Sequence, residues 1–314
     1  MLNSQRIFLD AIRKYCATHG IQTEIRSAGW LVVMRRGAKQ HLAFGYDLGL
    51  NNSVAHRIAN DKAATAEVLQ TCGIPCVPHA LFFGPQMSEF MPPQPSWQAM
   101  LAILKASPNG IVIKPNEGTS GHLVFKVSSE PELELAVHRI FSSSLNLAIS
   151  PYLDIEDEVR VILMDRRPLV VYSKNRPAIV GDGMRSFLEL ALAATPAEMR
   201  STVLSAMMAD FDRAALDGIP PLGERRLVSW RHNLDKGAQP VLLEQGKIRD
   251  ACVEIAARAA NAIGIRFGSV DVVQVNGSWR ILEINSGVMM EALGRLHPEL
   301  VYTAYSAALD KIFD

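Results

Sequence analysis

The sequence predicts an α/β protein of the α+β kind, and three observations carry that expectation. Helical and strand-like hydrophobic patterns alternate along the chain, without an internal repeat or a low-complexity stretch. The 314 residues, 48% hydrophobic and 20% charged, can bury a sizeable core and fit one large or two to three modest domains. Near the end, two strand-like runs flank Asn276-Gly277, the dipeptide best suited to a two-residue antiparallel hairpin.

The elements follow in order. Residues 4–18 place Phe8, Ala11, Ile12, Tyr15 and Cys16 at helical spacing, with Gly20 as a stop signal, and strands are expected at 22–26, 30–34 and 41–45. Asp61 is placed to cap a helix over 62–72 with Val68, Leu69 and Cys72 inward. Residues 74–83 read as a strand, and 84–95, where five of twelve residues are Gly or Pro, read as a loop. Ser96 caps a helix to residue 104. The apolar run Ile111-Val112-Ile113 ends in Lys114 and a glycine-bearing loop, followed by a strand over 123–127. Ser129-Glu130-Pro131-Glu132 reads as a capping box, and Leu133, Ala136, Val137, Ile140 and Phe141 follow at helical spacing. Strands at 158–164 and 169–174, a second capping box at Ser186 and Glu189, a helix over 250–263 ended by Gly264, and strands at 269–275 and 279–285 complete the pattern.

Composition excludes several classes of function. Thirty-two Lys plus Arg balance 32 Asp plus Glu, so no broad field exists to hold nucleic acid or an anionic membrane. No apolar run approaches the ~18–20 residues of a membrane span, and the opening segment lacks the pattern of a secretory signal; a soluble cytoplasmic protein is expected. Cys16, Cys72, Cys76 and Cys252 are too few for a disulfide framework and read as reduced thiols, small core residues rather than zinc ligands.

Three clusters can carry chemistry. Lys62 and Lys114 are the first; a lysine ending an apolar strand beside a loop suits a polyphosphate, though a solvated lysine is equally compatible. The loop from Asn116 to His122 is the second. It has only Gly118 and Gly121, so it matches neither the Walker A nor the dinucleotide pattern, and a plain hairpin turn is the alternative. Asp271, Glu283 and Asn285 are the third. Two carboxylates and an amide, without histidine or thiol, favour a hard ion such as Mg²⁺ arriving with nucleotide phosphates; the alternative is the polar face of a sheet.

Register sharpens the third cluster. A two-residue Asn276-Gly277 turn pairs Val275 with Ser278 and would set Asp271 opposite Leu282, turning Glu283 away. A shared metal site therefore predicts an odd loop or a bulge, expected as a pairing of Val275 with Trp279 that brings Asp271 opposite Glu283.

In order, these pieces resemble the ATP-grasp superfamily, more closely its cyanophycin synthetase, glutathione synthetase and ribosomal-protein glutamate ligase branch. The resemblance covers residues 50–290 and rests on SVAHRIANDKAATAEVLQTCGIPCVP, IVIKPNEGTSG, SKNRPAIVGDGMRSFLEL, RHNLDKGA, and VDVV with LEIN. It implies an ATP-grasp fold with an N-terminal α/β domain (1–77), a central lid subdomain (78–149) and a C-terminal mixed or antiparallel-sheet subdomain (150–314). It implies an ATP-dependent ligase that forms an amide from amino acids or short peptides through an acyl phosphate, releasing ADP and phosphate. The alternatives are a kinase on the same scaffold and a non-catalytic ATP-binding module.

By position, the resemblance makes Lys62 and Lys114 the phosphate-binding lysines and Asn116, Glu117, Gly118, Thr119, Ser120 and Gly121 the mobile loop. Ser150, Tyr152 and Leu153 fall in the adenine hinge, and Arg160 on the next strand. Asp271, Glu283 and Asn285 become ligands of two Mg²⁺ ions, with Mn²⁺ as a substitute. Arg231 and Asn233, with Lys114, become the catalytic set at the acyl phosphate; Arg176, Arg185, Arg231, Ser286 and Gly287 become substrate-binding. For Arg176 and Arg185, beside the Gly181–Gly183 turn, a surface ion pair is the simpler reading. Small-molecule amino-acid or peptide substrates are implied, with a homodimer left open. The chain departs from the family pattern at Leu123 (a glycine), at Ser150-Pro151 (acids), at Ala238 (a glycine) and after Asn285.

Overall fold

The computed structural model describes residues 6–87, 90, 96–118 and 121–314. The chain forms two compact units, a larger one of Met1–Val171 with Glu244–Asp314 and a smaller one of Tyr172–Leu243.

The larger unit opens with α1 (Ile7–Thr18), whose Phe8, Ala11, Ile12, Tyr15 and Cys16 are all buried, the stripe the spacing predicts. β1 (Gln22–Arg26), β2 (Leu31–Arg36) and β3 (Lys39–Phe44) make an antiparallel sheet in that order. α2 (Ser53–Asn60), which the sequence pattern did not mark, starts on Asn52, whose side chain accepts from the Ala55 N–H. α3 (Lys62–Thr71) starts on Asp61 as expected, with the Asp61 carboxylate accepting from the Ala64 N–H. Its inward face is Ala63, Thr65, Ala66 and Leu69; Cys72, expected inward, lies past the last turn and is exposed.

The strand expected over 74–83 exists only as β4 (Ala80–Phe83). Pro75 and Pro78 have no N–H for a ladder, and the segment before β4 makes a single parallel bridge, Cys76 with Ile281. α4 (Ser96–Ala106), β5 (Ile111–Pro115), β6 (Phe125–Val127), α5 (Glu130–Phe141) and β7 (Asn146–Pro151) follow, giving an antiparallel sheet ordered β4-β7-β5-β6. One face buries Phe82, Ile111, Ile113, Leu147 and Ile149 against Leu101 and Leu104 of α4 and Leu133 and Ile140 of α5. Alternation turns Val112, Lys114, Ala148 and Ser150 to the other face. The capping box expected at Ser129 does not form: Glu132 instead accepts from the backbone N–H and hydroxyl of Ser128.

After β8 (Asp157–Met164) the chain enters β9 (Arg167–Asn175), in which the smaller unit begins. That unit contains β10 (Ala178–Val180), α6 (Phe187–Ala194), α7 (Arg200–Asp210), α8 (Arg213–Asp217), β11 (Arg225–Leu227) and β12 (Gln239–Leu242). β10 pairs with β11, and β12 pairs with Tyr172–Asn175. The core is Ile179, Phe187, Leu190, Ala191, Val203, Met207, Leu216 and Val228. The Ser186–Glu189 capping box forms as expected. Any side chain on Gly181 would be costly, because a Cβ there would collide with the Pro221 carbonyl oxygen.

The chain returns to the larger unit through α9 (Lys247–Ile263), closed by Gly264 at φ +87°, then β13 (Phe267–Val275), β14 (Ser278–Asn285), α10 (Glu291–Gly294) and α11 (Pro298–Phe313). Strand order is β9-β8-β13-β14, with α2, α3 and α9 against β13 and β14, and α11 packs along α1.

The hairpin settles the register. Val275 pairs with Ser278 across a two-residue turn with Asn276 at φ +50° and Gly277 at φ +68°, so the expected Val275–Trp279 pairing is wrong. The shift occurs further along: Val272 faces Ile281 but Asp271 faces Glu283, leaving Leu282 as the bulged residue. The turn chemistry and the carboxylate pairing are therefore both satisfied.

Candidate active site

Lys114 is 7% exposed, which removes the reading of a solvated lysine. Burial pushes its ammonium down to about 8; Lys62 adds to the effect, and Glu283 and Glu158 oppose it. Burial likewise lowers Lys62, against the attraction of Glu283, Asp61 and Glu117. Both ammonium groups feel Glu283. Glu283 therefore favours the charged form of both lysines, against the desolvation that disfavours it.

The loop after β5 is stitched to the start of α3. Lys62 Nζ donates to the carbonyls of Asn116 (3.2 Å) and Gly118 (3.0 Å), and the Ala63 N–H donates to Asn116 Oδ1 (3.1 Å). Asp61 and Glu117 form a bridge, and Asn116 is fully buried. Thr119 and Ser120 lie outside the described residues. Gly118 and Gly121 take φ +135° and +67°; Leu123 is also left-handed, at φ +53°, where a side chain is strained and glycine is not.

Asp271, on β13, is 1% exposed and faces both Glu283 on β14 and Arg160 on β8. Arg160 grips it with both arms, Nε to Oδ1 at 2.7 Å and Nη2 to Oδ2 at 2.6 Å. Ser269 pairs with Asn285, and Asn285 Nδ2 donates to Glu283 Oε1 at 3.3 Å. Glu158, buried and two residues before Arg160, lies on the same face by alternation. Among the described residues no three His, Cys, Asp or Glu side chains converge to hold a metal unaided. Two carboxylates and an amide with hard oxygen donors instead fit Mg²⁺ that brings phosphate and water oxygens with it.

In the segment from Ser150 to Leu153, Ser150 is buried and the Tyr152 N–H donates to the Gly110 carbonyl at 3.0 Å. Lys126 Nζ lies 3.6 Å from the centroid of the Tyr152 ring. Leu153 packs with Val77, Ile155, Val273, Val275 and Leu282 in an apolar cluster beside the acidic row.

In the smaller unit, Arg231 is ion-paired with Asp210, which also accepts from Ser229 Oγ (3.1 Å) and Trp230 Nε1 (3.2 Å). Asn233 caps a short turn through the Asp235 N–H, and His232 Nδ1 contacts the Lys174 carbonyl at 3.0 Å. Arg185 pairs with Asp182, Nε to Oδ2 at 2.7 Å, at the surface. That is the ion pair of the simpler reading. Arg176 lies between β9 and β10. Back in the larger unit, Ser286 is buried with Oγ 2.9 Å from His56 Nδ1, and Gly287 lies against Tyr46.

The structure sets Asp271 opposite Glu283 and ties Lys62 to the loop after Lys114, and it adds Glu158 on the strand of Arg160, Asp210 against Arg231 and the buried His79, which the sequence pattern does not mark. Strand alternation from Arg160 could have found Glu158. Asp210 ends a helix and meets Arg231 only through the fold, and no local pattern marks it.

No protein-family profile matches the chain, and no curated protein does. Solved structures do. A bifunctional glutathione synthetase from Pasteurella multocida is similar over 93% of this chain and 44% of its own length, at 18% identity and a TM-score of 0.50. A D-alanine–D-alanine ligase from Bacillus anthracis is similar over 83% of this chain and 71% of its own, at 15% identity and a TM-score of 0.51. The chain thus spans less than half of the glutathione synthetase.

Proposed function

We propose that this chain, which has the ATP-grasp fold of those two ligases, is an ATP-dependent ligase that joins a carboxylate to an amine through an acyl phosphate. The observation that carries the reading is half-buried Lys62 fastened to the loop that follows buried Lys114, together with Glu283 paired in register with Asp271. A buried and a half-buried ammonium group in the field of acids form a site of mixed charge that a Mg²⁺-bound triphosphate would complement.

In this proposal Lys62 and Lys114 neutralise the phosphates, and the Asn116–Gly121 loop covers them. Asp271, Glu283 and Asn285 would hold two Mg²⁺ ions, which draw charge from the transferring phosphoryl group. Arg160 keeps Asp271 in one rotamer. The hinge at Ser150, Tyr152 and Leu153 takes the base. From the resemblance, Arg231 and Asn233 serve the acyl phosphate, and Asp210 fixes the Arg231 guanidinium. Arg176, Arg185, Ser286 and Gly287 are proposed substrate contacts, and the divisions after residues 77 and 149 are proposed domain boundaries. The substrates are proposed to be amino acids or short peptides. Alignment and charge neutralisation suffice for phosphoryl transfer, so no nucleophilic side chain is required.

The test is ADP release with Mg²⁺ across a panel of carboxylates, each with and without amines. The ligase reading expects turnover that requires both and yields an amide. A stable phosphorylated product formed without amine would make the protein a kinase, and ATP binding without turnover would make it a binding module.

A further inference from the structure

His79 is a buried group that the proposed mechanism leaves unused. It stands between Pro78 and β4 and is 8% exposed. Its Nδ1 lies 3.0 Å from the Val77 carbonyl, an oxygen that can only accept, so Nδ1 carries the proton. Burial, with Lys114 and Lys62 nearby, holds the ring well below its ordinary pKa and therefore neutral. Its Nε2 is thus a bare lone pair, and among the described residues nothing donates to it. A buried acceptor left this way is costly unless something else in the working protein satisfies it.

Register shows where the ring stands. His79 immediately precedes β4, whose first residue Ala80 pairs with Ile149, the neighbour of Ser150; Ser150 stands in one row with Val112 and Lys126, one step from Lys114. Ala80 and Ile149 pack into the helix-covered core, so Ser150 is on the opposite face, the face of Lys114, and His79, joined to β4, feels both Lys114 and Lys62. Val77, whose carbonyl holds the imidazole, packs with Leu153 and Leu282. The imidazole is thus tied through Val77 to the cluster that contains Leu153 of the proposed hinge.

We propose that His79 sets the base specificity of the nucleotide site, its Nε2 accepting a hydrogen bond from the 6-amino group of adenine. A 6-oxo purine would present a carbonyl oxygen to the same lone pair, two acceptors face to face, and is rejected. This rests on the nucleotide reading of the site. Lys62 and Lys114 attract any triphosphate; His79 decides which base accompanies it.

The experiment compares Mg²⁺-ATP with Mg²⁺-ITP, which differ at the 6-position, by calorimetric titration of the full chain. Wild type is expected to favour ATP by about tenfold or more, and His79→Leu to bring the two within about threefold of each other. Because a packing defect would weaken both nucleotides alike, the ratio is the readout. As a second measurement on unaltered protein, the ¹⁵N resonance of His79 Nε2 should move upfield with ATP and not with ITP. An ATP preference unchanged in His79→Leu, or an Nε2 resonance indifferent to ATP, overturns the role of His79 while leaving the nucleotide site intact. Failure of wild type to bind either nucleotide overturns the site and this role together.

Discussion

Replacing Lys114 with Met, neutral and of similar length, should stabilise the empty protein while destroying its activity. The native ammonium is held at about 8 against an ordinary 10.5. A base whose native pKa is lowered binds fewer protons folded than unfolded between those values, so stability rises with pH through that window. Below it, the charged native lysine costs the fold about 3 kcal/mol, at 1.36 kcal/mol per pH unit. Lys114→Met carries no such cost. Urea unfolding followed by circular dichroism should find the variant more stable by about 1–3 kcal/mol at pH 7, allowing for imperfect packing of the thioether, with the gap closing toward pH 10.5. ATP turnover should fall by about a hundredfold or more. A variant less stable than wild type at pH 7, or a gap that does not change with pH, would refute the reasoning.

Four further outcomes are expected. Glu283 raises the pKa of Lys114, so Glu283→Gln should drop it further below about 8, read by NMR of the lysine Nζ, and should weaken Mg²⁺-ATP binding. Binding of a triphosphate should recharge Lys114, so calorimetry near pH 8.5 in buffers of different ionisation heat should detect proton uptake, absent in Lys114→Met. Asp210→Asn removes the charge partner of Arg231 and should lower the unfolding free energy by about 2–4 kcal/mol and turnover by about tenfold, with ATP affinity unchanged. Gly181→Ala should cost more than about 3 kcal/mol by thermal melt, because Pro220 and Pro221 backbone oxygens occupy the space.

Much of this was legible in the sequence, and particular residues show why. The α1 stripe, the Asp61 cap and the Ser186–Glu189 box are local, so spacing alone reveals them. Residues 74–83 were misread because apolar content outweighed two prolines. The hairpin is instructive: Asn276-Gly277 fixed the turn locally, while the demand that Asp271 face Glu283 was met by a bulge at Leu282 that no residue pattern marks. The burial of Lys114 and the pairs Arg160–Asp271 and Arg231–Asp210 are tertiary facts, since each joins elements distant in sequence. No helix among the described residues is long and apolar enough to cross a membrane.

The central claim is the acyl phosphate, and isotope transfer tests it most directly. An amino acid or peptide that supports ADP release is prepared with ¹⁸O in its carboxylate and turned over with ATP, Mg²⁺ and an amine. If the carboxylate oxygen attacks the γ-phosphorus and the amine then displaces phosphate, one ¹⁸O per turnover appears in inorganic phosphate by mass spectrometry. Inorganic phosphate free of ¹⁸O, formed alongside ADP, would contradict the account.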